Sequence, residues 1–345
     1  MQGLVTVFGG TGFVGKYVVR ALARNGWRIR VAARNPLRAP QLRVMGEVGQ
    51  IEFAQVDLKR CASVEAALEG STAVVNLVAV LFETGGQTFD ALQATGARWI
   101  AEAAAERGIT RMIQVSAIGA DARSPSAYAR AKAEGEAAVR AALPGATILR
   151  PSVVFGPEDK FFNRFAAMAA LSPVLPVVGA KTRFQPVYAG DVGQAVAEAL
   201  KPSREAHGRT YELGGPGVYS FEELMRIMLR DIQRKRTLLP IPFPIADAIG
   251  KAGDIQAFLL PLAPPLTSDQ AKLLRTDNVA DPALPGLDVL GVEATAIEAV
   301  LPTYLWRFRS GGQFAQPEGH NAADPQSGPY AAGKAGGFGP EMAGG

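Results

Sequence analysis

The chain predicts an α/β protein: a doubly wound parallel (Rossmann) sheet with a smaller α-rich C-terminal lobe. Three observations carry this. The apolar run Val5-Thr6-Val7-Phe8 leads straight into a glycine-rich turn, and Lys16–Arg24 then places apolar residues at helical spacing. Extended and helical patterns go on alternating to about residue 150, the βαβαβαβαβαβ order of a parallel sheet. Ala73–Leu81 is almost continuously apolar, as a parallel strand buried on both faces must be.

The turn is Gly9-Gly10-Thr11-Gly12-Phe13-Val14-Gly15. Gly10-x-Gly12-x-x-Gly15 fits the dinucleotide fingerprint, and Gly9-x-x-Gly12-x-x-Gly15 fits its shifted relative. In either frame the glycines allow the tight turn, close approach to a pyrophosphate, and packing of helix on strand. The helix N-terminus then offers unpaired N–H groups to the phosphates. The alternative is a turn with no ligand, but the placement between strand and amphipathic helix makes the motif specific.

Trp27–Ala33 alternates and reads as the second strand, ending in Arg34-Asn35-Pro36 with Arg38 nearby. A site built for NAD(H) usually carries Asp or Glu here, on the ribose hydroxyl. Arg34 instead suits a 2′-phosphate, so the expected cofactor is NADP(H), with NAD(H) as the alternative; a solvated surface arginine would fit the same residue. Ile51–Val56 is the third strand and delivers Asp57 and Leu58 to the adenine. Val64–Leu68 is a short helix, Phe89–Arg107 a long amphipathic one. Arg111–Val115 is a strand ending in Ser116. Ala127–Leu143 is the next helix, Ala146–Leu149 starts a strand, and Arg150–Pro157, with Pro151 and Val153, follows to close over the nicotinamide.

Bulk properties narrow the options. A chain of 345 residues holds one large or two modest domains, and 48% hydrophobic with 20% charged residues is ordinary for a globular protein. One cysteine, Cys61, excludes an internal disulfide framework. Only His207 and His320 are present, neither at metal-ligand spacing, so no metal is expected. A net charge of +4 is too diffuse to argue for nucleic acid. No 18-residue apolar run suggests a membrane span. A first strand at about residue 3 leaves no room for a signal or transit peptide.

Beyond Pro151 the alternation weakens. Phe161–Leu171 reads as a helix, Gln185–Lys201 as a turn and a helix beginning near Asp191, and Thr210–Leu213 as a strand. Phe221–Arg236 is a helix led by Ser220, with Glu223 three residues on as a capping box. Arg226, Arg230 and Arg234 would line one face of it, extended by Lys235 and Arg236. Leu238–Ile249 and Phe258–Leu266 are apolar and proline-broken, which argues against a long helix there. Basic residues beside apolar segments over 226–266 suit a membrane surface or a partner protein, or equally a solvated face over the lobe's own core. The expected organisation is a cofactor domain over 1–155 with returning segments at about 185–215, a lobe over 156–309, and a disordered glycine- and proline-rich tail over 310–345.

Tyr128-Ala129-Arg130-Ala131-Lys132 sets a phenol and an ammonium one helical turn apart. Ser116, at a strand end, would converge with them beside the nicotinamide. A lysine next to a tyrosine is expected to lower the phenol's pKa and make it a usable acid or base. In this reading Ser116 holds a substrate oxygen, Tyr128 moves the proton and Lys132 also binds cofactor ribose.

These features resemble the extended and atypical short-chain dehydrogenase/reductases: the turn at 9–15, Asp57, Asn76-Leu77-Val78-Ala79, Ser116, the Tyr128/Lys132 pair and Arg150–Pro157. Within that superfamily the chain is similar to the short-chain-dehydrogenase-like accessory subunit of respiratory complex I and its bacterial relatives. The cues are GGTGFVGKYVVRALA at 9–23, VSAIGAD at 115–121, SAYARAKAEGE at 126–136, FGPEDKFFNRFA at 155–166 and LTSDQAKLLRTDN at 266–278. The resemblance implies cofactor contacts from Val78 and Ala79 and tightly held, structural NADPH. It also implies a peripheral place near the quinone-site region of complex I, on the cytoplasmic face of a bacterial inner membrane or in the cytoplasm. A catalytically active reductase, dehydrogenase or epimerase using Ser116, Tyr128 and Lys132 is the alternative.

Overall fold

The computed structural model describes residues 2–201, 207–259 and 264–312. The expected tail therefore lies, from residue 313 on, outside the described residues, as do residues 260–263 of the second apolar segment.

Chain order explains the sheet. β1 (Gln2–Phe8) runs into the glycine turn and α1 (Phe13–Arg24), and β2 (Trp27–Ala33) returns parallel beside it. β3 (Ile51–Gln55) and α2 (Cys61–Ala67) complete one half. β4 (Ala73–Asn76), α3 (Gly96–Glu106), β5 (Arg111–Val115), α4 (Ala127–Ala142) and β6 (Thr147–Pro151) build the other. After β7 (Val154–Phe155), α5 (Phe162–Leu171), β8 (Val174–Val178), β9 (Arg183–Phe184), β10 (Val187–Tyr188) and α6 (Ala189–Ala199), the chain returns as β11 (Thr210–Leu213). The seven strands lie in the order β3-β2-β1-β4-β5-β6-β11, every pair parallel. The order reverses between β1 and β4, which opens a crevice at their carboxyl ends.

Alternation along β1 divides the core. Val5 and Val7 face one layer with Val18, Leu22, Val192 and Val196 of α1 and α6. Phe8 faces the other, with Ile100 of α3 and Val139 of α4. A third core, of Phe155, Phe162, Phe221, Leu224, Met228 and Leu301, belongs to the lobe.

The lobe's remaining elements are β12 (Tyr219–Ser220), α7 (Phe221–Asp231), β13 (Thr237–Ile241), α8 (Phe243–Leu259), α9 (Ser268–Leu273), α10 (Ile297–Val300) and α11 (Pro302–Leu305). Three expectations need correction here. The apolar run at Ala73–Leu81 is strand only to Asn76. Its side-chain oxygen accepts from the Val78 amide (3.1 Å) and its amide donates to Gln114 (2.9 Å), so the chain turns out of the sheet. The capping box of α7 is present, but the helix stops at Asp231. Gln233 takes φ 55°, its N–H reaching Arg230 O and the next N–H Leu229 O, a Schellman closure; Arg234 therefore leaves the face of Arg226 and Arg230. Prolines do not prevent the 17-residue α8: Pro244 sits in its first turn, where no N–H partner is lost, and Pro240 and Pro242 precede it.

Candidate cofactor and acid–base site

The glycine turn is tightly folded. Gly9 has φ +80°, a conformation glycine adopts freely, and its carbonyl accepts from the Gly12 amide at 3.0 Å. A Cβ on Gly15 would stand 2.4 Å from Gly9 O and 2.6 Å from Gly10 O, so only glycine lets α1 seat on β1. At α1's N-terminus Gly12 supplies no side-chain cap and the first turn holds no acid, so its amides stay available to an anion. A Cβ on Gly9 would lie 3.2 Å from the Val78 amide, which places Val78 against the turn, with exposed Ala79 next in chain.

Arg34 is exposed just beyond β2, beside the turn, where Gly9 N donates to Ala32 O. Its side chain has no ion-pair partner among the described residues. Asp57 follows β3; one oxygen accepts from the Lys59 amide at 3.0 Å and Ser63 accepts from the Asp57 amide at 2.9 Å, fixing the loop that carries buried Leu58.

At the other end of the crevice Ser116 leaves β5 with its N–H on Leu149 O (2.7 Å), while its buried Oγ has no partner among the described residues. An orphaned hydroxyl at a strand end is what a ligand oxygen would satisfy. Tyr128 packs edge-on against Phe89, with ring centroids 5.7 Å apart. Buried Lys132 donates to Val115 O at 3.3 Å, and its Nζ stands 5.8 Å from the Tyr128 ring centroid. The electrostatics reverse the expectation of a lowered phenol pKa. Burial, and then the Asp269 carboxylate, push Tyr128 up to about 12. Burial pulls Lys132 down to about 8, with Glu136 acting against it. In the free chain Tyr128 is thus a protonated donor and not a ready base.

The lobe braces this end of the site. Asp269 accepts from Ser126 Oγ (2.7 Å), the Ala127 amide (2.6 Å) and the Tyr128 amide (3.2 Å), so it caps α4 where the phenol sits. Asn278 Oδ1 accepts from Ser152 Oγ (2.7 Å) and the Val153 amide (3.0 Å), fixing the loop after Pro151. Arg150, expected over the nicotinamide, instead makes a bidentate pair with Glu136 (2.7 and 2.9 Å) and reaches Glu212 at 3.4 Å, tying α4, β6 and β11 together. Neither Asp269 nor Asn278 follows from local pattern. Their one sequence signal is that both lie in LTSDQAKLLRTDN, a stretch with no cofactor motif of its own.

Sheet order, glycine turn and the Ser116–Tyr128–Lys132 end define a nicotinamide-dinucleotide-binding protein of the Rossmann class. The chain belongs to the NAD dependent epimerase/dehydratase family, whose profile matches residues 5–214. It is 38% identical over 321 residues to NADH dehydrogenase (ubiquinone) 1 alpha subcomplex subunit 9, mitochondrial, of Arabidopsis thaliana, covering 90% of this chain and 80% of that protein. It is 32% identical over 243 residues to a ceramide reductase of Caulobacter vibrioides, covering 70% of this chain and 75% of that protein. Among solved structures, the NADPH-dependent quinone oxidoreductase of Escherichia coli in complex with NADPH superposes with a TM-score of 0.67. At 20% identity, over 87% of this chain and 98% of that one, it shows the shared fold.

Proposed function

We propose that the protein is an NADP(H)-binding accessory subunit, or an assembly and stability factor, of respiratory complex I. It would sit peripherally near the quinone-site region, on the cytoplasmic face of a bacterial inner membrane. The observation that carries this is the reach of the similarity to the complex I subunit: 90% of this chain, against 70% for the ceramide reductase. The cofactor role is structural in this reading. Gly9–Gly15 hold the pyrophosphate, Arg34 the 2′-phosphate, and Asp57 and Leu58 the adenine. Val78, Ala79, Pro151 and Val153 line the path to the nicotinamide, whose ribose meets Tyr128 and Lys132. When bound, the cofactor supplies a hydride donor or acceptor; the chain's own residues orient it and hold a proton at Tyr128.

The test is complementation. A strain lacking the protein should show less assembled complex I on native gels. Tyr128→Phe should restore assembly, and Gly15→Ala should not. If Tyr128→Phe binds nucleotide normally yet fails to restore the complex, turnover is required and the structural reading is wrong.

A further inference from the structure

Helix α8 is packed in reverse. Its buried residues are small, Ala246, Gly250, Gly253 and Ala257. A Cβ on Gly250 would stand 2.7 Å from Ser268 Cα, so these small residues seat the helix on α9. Its acids are used locally: Asp247 pairs with Arg275 at 2.7 Å, and Asp254 accepts from the Ser268 amide at 3.2 Å. What faces outward, around the exposed Lys251, is large and apolar: Ile245 (52% exposed), Ile255 (61%), Phe258 (88%) and Leu259 (68%). An ordinary surface helix does the opposite.

The ribbon that precedes α8 in the chain also exposes apolar residues. β13 pairs with β8, and exposed Leu239, opposite Pro176, and Val174, opposite Thr237, lie on its outer face. At the start of β13, Thr237 and Leu238 line a groove of about 860 Å³ shared with Arg226, Arg230, Arg234, Lys235 and Arg236. Arg226 is paired with Glu222. Arg234 and Arg236 are tethered through Nε to the carbonyls of Phe308 (2.9 Å) and Ala169 (2.8 Å). Exposed Arg230 and Lys235 have no ion-pair partner among the described residues. No helix among the described residues is long and apolar enough to cross a membrane.

We infer that this composite surface rests on an anionic lipid bilayer, with lipid phosphates in the Arg230–Lys235 groove and the outer face of α8 in the headgroup–acyl boundary. Cations beside an apolar plane match that layering: phosphate above, hydrocarbon below. A salt-bridging protein partner would match the groove and leave Phe258 and Ile255 unexplained. The inference extends the peripheral placement proposed above, and its test does not depend on complex I.

The experiment is flotation of the full-length protein with vesicles of phosphatidylcholine alone, or with about one third phosphatidylglycerol. Binding to the anionic vesicles should be strong at low salt and fall as salt rises. Replacing Arg230 and Lys235 together by Gln should weaken it roughly thirtyfold, at about a factor of five per basic residue. Ile255→Ser with Phe258→Ser should weaken binding to both vesicle types. NADPH affinity, unchanged in every variant, reports that they are folded. Failure of the parent protein to float, or flotation unaltered by both double substitutions, overturns the inference and leaves a protein as the occupant.

Discussion

Replacing Asp269 by Asn tests whether the lobe holds the acid–base helix. The carboxylate accepts three hydrogen bonds at the start of α4, from Ser126, Ala127 and Tyr128. Bonds to a charged acceptor contribute about 1.5–3 kcal/mol each, and a carboxylate at a helix N-terminus adds up to about 2 kcal/mol. Asn keeps one acceptor oxygen and the shape, so the net loss is about 2 kcal/mol. For a chain of this size that lowers Tm by roughly 3 °C. A structural change alone would stop there. Asp269 also helps hold the Tyr128 pKa near 12, so its neutral replacement must lower the phenol's pKa. Ultraviolet titration reads this, taking the difference from the matching Tyr128→Phe variant to remove the six other tyrosines. A variant with unchanged Tm and an unshifted Tyr128 titration refutes the bracing role.

Arg34→Ala should weaken NADPH by about tenfold or more and spare NADH, by loss of one charge-assisted bond; equal weakening of both, in a binding titration, excludes a 2′-phosphate contact. Gly15→Ala should abolish nucleotide binding and destabilise the fold, since its Cβ meets Gly9 O at 2.4 Å; calorimetry and NADPH binding both read it. Lys132, pulled down to about 8, binds its proton less tightly folded than unfolded, so its contribution makes the nucleotide-free protein gain stability as pH rises from about 8 toward 10.5. Denaturation of Lys132→Met should lack that rise, and a parent protein without it contradicts the burial described.

Much of the fold is written locally. Strong β patterns bounded by turns place β2 and β11 at the expected residues, and the glycine turn names its own ligand class. The structure departs from local pattern where hydrophobicity does not distinguish partners. In Leu77–Leu81 only Leu77, Val78 and Val80 pack against the cores, while Ala79 and Leu81 are exposed, and Asn76 turns the chain out of the sheet by a side-chain hydrogen bond no periodicity reveals. Proline content alone argues against a helix after residue 238, but position decides, and Pro244 falls where α8 begins. In the site, the Tyr128–Lys132 spacing is legible, but its electrostatics are not. Burial and a carboxylate 141 residues away set the phenol's pKa, and such a long-range contact exists only once the lobe is folded.

In the function proposed above, this chain works as a nucleotide-stabilised part of complex I. The most direct measurement solubilises native membranes in mild detergent, recovers the tagged protein, and assays nucleotide and partners in the same eluate. Recovery of complex I subunits with about one NADPH per chain is the predicted result. A protein found wholly in the soluble fraction, with exchangeable nucleotide and no complex I subunits, would contradict the account and return Ser116, Tyr128 and Lys132 to the role of a working enzyme.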